Sequence, residues 1–344
     1  MIKAPVTITY SLPDSIQPAE LEHVDIGFVP LLDSAPLIIA RELGFFDAAG
    51  VSVNLKKQTS WAAVQDKLQY QLLDAAPLPA SLILSSQSIR GKLPLVTAMG
   101  LGLNGNGITA SRELWQHLNQ GSEKLTPELA GKRLAQYLKR SGKKLRASSV
   151  HSFSSHHLLL RQWLSRYLPP LEESMEFSVI PPSKMVAAMK AGDTDLFCVG
   201  EPWNTVALQS EAGFPLFSSF QLWPDAPDKM LAVTQQWHSS YPNTHLRLIW
   251  AITNAMAWLE EHKTDDGVAS ILSHPEHLDL PSESLSFEFG RHSFRVPEAS
   301  RPKLRDAEWF QQQLKTLLPI ESEFRPADIQ STWLTDFYDR ILSH

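Results

Sequence analysis

Cysteine is almost absent: Cys198 is the single one in 344 residues, which excludes an internal disulfide framework and any multi-cysteine metal cluster. Long apolar runs are missing as well. No uninterrupted stretch reaches the ~18 residues of a transmembrane helix. The longest apolar helix candidate, His245 to Lys263, is broken by Arg247, Thr253 and Asn254. The N-terminal stretch from Met1 to Val24 holds Pro5, Pro13 and Pro18 and lacks the apolar core of roughly 7–15 residues that a secretory leader carries. A cytoplasmic protein without membrane insertion is therefore expected, or a periplasmic one whose leader has been removed. Excess positive charge is also lacking. Lys and Arg number 31 against 37 Asp and Glu, a net charge of −6, which speaks against direct nucleic-acid binding by bulk charge. Catalytic signatures are absent: there is no G-x-S-x-G elbow, P-loop, H-E-x-x-H or EF-hand loop. Cys198 lies in an apolar strand candidate with no visible base, so it reads as a small buried hydrophobe. The sequence predicts a protein that is not an enzyme and calls for no cofactor and no metal.

What is present is a regular alternation of strand-like and helix-like segments. Val24 to Val29 (VDIGFV) suits a buried strand, and Ala35 to Ala49 carries Leu37, Ile38, Leu43 and Phe46 at helical spacing with Gly50 as a stop. Val51 to Lys56 alternates as a strand does, Ser60 caps a helix running to about Leu73, and Leu93 to Met99 is again strand-like. A second block repeats the theme: strands at Leu145–Val150, Phe177–Ile180 and Asp195–Val199, helices at His157–Tyr167 and Ser183–Lys190. This order predicts an α/β architecture with largely parallel sheets.

Between the blocks, Gly100 to Gly107 (GLGLNGNG) reads as a hinge. Gly100, Gly102 and Gly105 meet the G-x-G-x-x-G spacing, but Asn106 and Gly107 extend the loop to about Ser111 where a dinucleotide site needs a helix. The basic cluster from Lys132 to Arg146 reads as a solvated helix face. His156 and His157 are adjacent on a helix and point in different directions, which argues against joint chelation of one ion with Asp193 or Asp195. Two α/β lobes joined at a glycine-rich crossover describe a clamshell, with the cleft as the default ligand site. The expected division is an N-terminal extension over 1–23, a discontinuous first lobe over 24–105 and 230–344, and a second lobe over 106–229. The proline-punctuated tail from Pro281 to His344 is expected to wrap back over a lobe.

Four stretches carry a family resemblance: Gly27 to Leu55, Ser60 to Leu68 (SWAAVQDKL), Pro181 to Asn204 (ending in VGEPWN) and Trp223 to Val233 (WPDAPDKMLAV), with SHHLLLRQWL from Ser155 matching less strictly. They resemble the nitrate/bicarbonate-binding receptors, a family of periplasmic-binding-protein-like clamshells of type II. The resemblance implies two α/β lobes around one small oxyanion. It places Trp61, His156 and Pro182 in the pocket and Lys229 at the position that separates ligand classes. Nitrate-binding members are similar in having His and Lys where bicarbonate-binding members place Thr and Glu and use calcium. Asn106 takes the place of the family's usual glutamine, one methylene shorter. Asp74-Ala75-Ala76-Pro77 replaces the usual Asp-Gly-x-His. Asp33, Ser34, Gly105 and Glu201 complete the expected cleft lining.

Nitrate is planar, singly charged and offers only acceptors, so its site must supply donors such as an ammonium, an indole N–H, an imidazole N–H and free backbone amides. A buried lysine needs a compensating anion, and nitrate is expected to be that anion. Family members that look leaderless resemble cytoplasmic nitrate/nitrite sensors of assimilation operons. The expected partners are therefore nitrate or nitrite and an RNA-binding antiterminator protein. The alternatives are the receptor of an importer and, remotely, a clamshell enzyme of the thiamine-pyrimidine synthase type, whose cysteine-rich motif is missing here.

Overall fold

Alternation of short apolar runs with helical faces produces two five-stranded sheets. The computed structural model describes residues 7–88, 92–121, 123–168, 170–317 and 328–342. Within them the strands are, in chain order, β1 (His23–Phe28), β2 (Ser52–Lys57), β3 (Ala75–Pro79), β4 (Leu95–Gly100), β5 (Asn106–Ser111), β6 (Leu145–Ser149), β7 (Met175–Val179), β8 (Leu196–Gly200), β9 (Gly213–Ser218) and β10 (Lys229–Thr234). The chain divides into two compact units. The first comprises Met1–Leu103, Pro227–Ser282 and Ser293–His344, and the second Asn104–Ala226 and Glu283–His292. The crossovers thus fall a few residues before the expected positions, and Lys229 belongs to the first unit rather than the second. Part of the proline-rich tail, Glu283–His292, joins the second unit, a return that no composition shift announces.

Both sheets are largely parallel, as the alternation predicts, with one reversed strand each. In the order β2-β1-β3-β10-β4, β1 pairs parallel with β2 and β3, but β10 runs antiparallel to both β3 and β4. In the order β7-β6-β8-β5-β9, β6 pairs parallel with β7 and β8, and β5 runs antiparallel to β8 and β9. Both reversed strands are the first after a crossover. A chain that returns at the carboxyl edge of a parallel set must run back down the sheet. Its first residue therefore sits at that edge: Lys229 opposite Pro79 in one unit, Asn106 opposite Gly200 in the other. The expected loop to Ser111 is accordingly a strand, not an extended hinge, and no helix follows Gly105. That removes the dinucleotide reading.

Burial follows from the apolar pattern. Val24, Ile26 and Phe28 of β1 are fully covered, as are Leu37 and Ile38 of the helix Ala35–Glu42. Gly44, in the left-handed region at φ 87°, separates that helix from the short helix Phe45–Ala48, where the sequence suggests one. In the second unit Ile108, Leu134, Leu160, Trp163, Leu196 and Phe217 form the core, with Cys198 packed among them. Residues 7–22 are tied to the helix Pro242–His262. Asn254 Oδ1 accepts the amides of Thr9 and Tyr10 at 2.8 Å each, and the Glu20 carboxylate accepts the amides of Asn243 and Thr244. Burial alone would raise the Glu20 pKa, but these hydrogen bonds outweigh it and hold the group at about 2. At the other end of the chain, Leu334 donates its amide to Thr97 O of β4 at 2.8 Å.

Candidate functional site

Every candidate residue lies at the carboxyl edge of the parallel strands of its own sheet, the edge where open α/β sheets place ligands. In the first unit, β1 runs into a short turn of helix at Leu32–Ser34, which brings Asp33 and Ser34 inward. Ser34 Oγ donates to Val29 O at 2.8 Å and stands 3.3 Å from Asp33 Oδ1, so the hydroxyl is engaged inside the turn instead of capping the helix that follows. Pro36 stands in the first turn of that helix and removes one of the amides the sequence expects there. After β2, Ser60 Oγ accepts the Ala63 amide at 3.2 Å, caps the helix Trp61–Gln69 and fixes Trp61 as its first residue.

Lys229 is the centre of this half. Its side chain is fully buried, its Nζ lies 2.8 Å from Asp33 Oδ2, and it also donates to Asp228 Oδ1. The ammonium stands 5.4 Å from the centroid of the Trp61 ring, within cation–π range. Burial pulls the lysine pKa down, but Asp228 and Asp33 together outweigh it and raise the pKa above the ordinary value. The lysine is therefore charged. The expectation that it awaits an external counter-ion is corrected: two carboxylates already compensate it. Of its three N–H donors, one goes to Asp228 as a hydrogen bond, and the Asp33 contact is an ion pair. The indole Nε1–H of Trp61, fully buried, has no hydrogen-bond partner among the described residues. A buried donor left so costs roughly 1–3 kcal/mol, which an acceptor-only ligand would recover.

In the second unit, Asn106 opens β5, buried, in register with Gly200. Gly105 precedes it at φ +86°, a conformation that favours glycine. The Gly105 amide donates to Gly290 O at 2.8 Å, and Gly105 O accepts the Glu201 amide at 2.9 Å. His156 is fully buried in the first turn of the helix Ser155–Ser165, whose cap Ser154 accepts the His157 amide at 3.2 Å. His157, its neighbour, faces elsewhere and meets Ser149 Oγ at 3.1 Å. Burial, with Arg161 and His151 adding to it, lowers the His157 pKa to about 4. Pro182 opens the helix Pro182–Ala191 after β7.

Glu201 follows β8. It is fully buried, is joined to Pro202 by a cis peptide and accepts the Thr205 amide on Oε2 at 3.2 Å, while Oε1 has no hydrogen-bond partner among the described residues. Burial pushes its pKa up to about 7 against the pull of Thr205 and Asn204. Near neutral pH a large share of this carboxyl is therefore protonated, and so able to donate. The structure thus groups Asp33, Ser34, Trp61 and Lys229 within one unit and Gly105, Asn106, His156, Pro182 and Glu201 within the other. Asp228 is the residue the sequence reading passes over. Its signal is plain in retrospect: an acidic residue directly before a lysine that begins a buried strand.

The sequence profile of the NMT1-like family matches residues 17–273. The bicarbonate transport ATP-binding protein CmpC of Synechococcus elongatus is 33% identical over 308 residues, covering 86% of this chain and 45% of that protein. The nitrate/nitrite binding protein NrtA of the same organism is 32% identical over 279 residues, covering 77% of this chain and 61% of its own. The chain thus spans about half the length of these curated relatives. The crystal structure of the periplasmic nitrate-binding protein NrtA from Synechocystis superposes with a TM-score of 0.84 at 24% identity, over 94% of this chain and 89% of that one. The fold is that of a periplasmic-binding-protein-like solute receptor, and the chain belongs to the NMT1-like family.

Proposed function

We propose that this protein binds nitrate or nitrite as a receptor and performs no catalysis. The observation that carries the proposal is the pairing of a charged, fully buried Lys229 with the unpartnered indole N–H of Trp61 at the carboxyl edge of a sheet. These are donors suited to an ion that offers only acceptors. In the other unit Asn106, His156, Pro182, Gly105 and Glu201 occupy the carboxyl edge of that unit's own sheet. His156 and Lys229 stand where the sequence resemblance expects the nitrate-type residues. The relative named as a nitrate/nitrite binding protein, 32% identical, supports the same ligand class. Equilibrium dialysis against nitrate, nitrite, and bicarbonate with calcium tests it. Retention of nitrate or nitrite is the expected result, and retention of bicarbonate alone contradicts it.

The proposed role is that of a nitrate/nitrite sensor that controls an RNA-binding antiterminator of assimilation genes, with anion binding shifting the population between two states of which the partner prefers one. The names of the relatives favour a second reading, a receptor or receptor-like module of an anion importer. Co-purification from the source cell separates the two. A sensor brings down an RNA-binding protein that saturating nitrate releases, whereas a transport module brings down a permease or an ATPase.

A further inference from the structure

The run from Lys132 to Arg146 holds seven basic residues and no acidic one. Lys132 pairs with Glu128 and Arg146 with Asp195, and Lys144 Nζ donates to Glu172 O at 2.9 Å. Arg133 and Arg140 instead line a cleft of about 330 Å³ that lies wholly within the second unit. Its volume is at the lower end of the roughly 300–1,000 Å³ of small-molecule sites. One wall is a face of the helix Pro127–Ser141: Arg133, Gln136, Tyr137 and Arg140 stand at i, i+3, i+4 and i+7. The other wall comes from the end of the helix Arg112–Leu118, with His117 and Gln120. A favourable interaction with the helix C-terminus accounts for the sign of Arg140, but not for a cleft or for the rings that line it.

Three kinds of group meet there. Arg133 is held in place: one terminal nitrogen donates to Leu118 O at 2.7 Å, and the other lies 3.6 Å from the mostly exposed Glu123 carboxylate, a pairing that contributes little. Arg140 engages only its Nε, on Gln136 O at 3.3 Å, and its two terminal nitrogens have no partner among the described residues. The His117 and Tyr137 rings stand 4.6 Å apart, tilted by 34°. Burial first, then Glu113 and Asp195, raise the Tyr137 pKa, so its phenol stays protonated and able to donate. Gln120 and Gln136 each add a carboxamide, a donor and an acceptor side by side.

We infer that this cleft is a second ligand site, which takes a free mononucleotide: the arginines hold its phosphate and the His117 and Tyr137 rings pack against its base. Guanidinium groups match phosphate in fork geometry. Aromatic rings offer a stacking surface to any base, and a glutamine carboxamide can meet the paired donor and acceptor on a base edge. The cleft has room for about one nucleotide, and a chain of net charge −6 repels a longer polyanion, so a free nucleotide is favoured over a nucleic-acid strand. The inference does not depend on the reading of Lys229 as an anion ligand.

The test is calorimetric titration of the full chain with AMP and UMP at fixed ionic strength, with adenosine and inorganic phosphate as partial ligands. At least one nucleotide should bind at a single site, and adenosine and phosphate should each bind about tenfold more weakly or worse. Arg140 is exposed, so Arg140→Gln is expected to melt as the wild type does. It should weaken nucleotide binding about tenfold through the loss of a charge-assisted contact and leave adenosine binding unchanged. Tyr137→Leu should weaken nucleotide and adenosine alike, and Arg140→Gln decides the matter alone if that variant fails to fold. Binding of neither nucleotide overturns the inference, as does phosphate binding as tightly as the nucleotides. It is likewise overturned if folded Arg140→Gln binds them as the wild type does, or if a short oligoribonucleotide binds more tightly than either.

Discussion

Asp33 and Lys229, 196 positions apart in the chain, meet at 2.8 Å with both side chains buried. One follows the first strand of the sheet and the other begins its antiparallel strand β10, so the contact exists only because the chain re-enters at the carboxyl edge. That contact makes Lys229 a structural residue as well as a candidate ligand.

Removing the lysine should therefore cost stability. Lys229→Ala removes the ammonium from between the buried Asp33 and Asp228, and breaking a buried pair this way costs roughly 3–5 kcal/mol. Urea unfolding checks the figure. A change under about 1 kcal/mol would mean that the two acids are not jointly held by the ammonium.

Glu201 gives a pH signature of its own. Its folded pKa of about 7 lies above the ordinary 4.5, so between those values the folded state holds a proton that the unfolded state has lost. Stability from this group falls as pH rises from 4.5 through 7, reaching a penalty of about 3 kcal/mol by linkage at ~1.4 kcal/mol per pH unit. Glu201→Gln should raise the melting temperature at pH 8 and leave it little changed at pH 4.5. Parallel melting curves at the two pH values would contradict this.

His245 works in the opposite sense. Burial, with His238 at 3.0 Å between the Nδ1 atoms, lowers its pKa to about 3. The unfolded chain binds a proton below 6.5 that the folded chain refuses, so stability is lost as pH falls from 6.5 toward 3. His245→Gln should flatten that part of the curve of unfolding free energy against pH relative to wild type.

The α/β class and most element positions were legible because short apolar runs, helical spacing and turn residues punctuate the chain locally. The helix Pro182–Ala191 with its left-handed Gly192 stop is one instance. The reversed strands were not legible. β5 begins inside a glycine-rich run that reads as loop, and β3 carries Pro77 and Pro79, which argue against a central strand although β1 pairs with β3 only through Ile26 and Ala75. Direction within a sheet depends on where the chain crosses over, which no local pattern encodes. The same holds for the site. The candidate residues are legible only through the family resemblance, since Lys229 by itself reads as a surface lysine; its counter-charge comes from one residue beside it and one 196 positions away, and only folding reveals that the lysine is already paired.

The central claim is that Lys229 and Trp61 serve a monovalent oxyanion. Calorimetric titration of wild-type protein and of Trp61→Phe with nitrate and nitrite tests it most directly, because phenylalanine keeps the buried ring and removes only the N–H. The account predicts a single micromolar-range site weakened about tenfold by the loss of one charge-assisted donor. Wild-type binding that Trp61→Phe leaves untouched, or no binding of either anion, would contradict it.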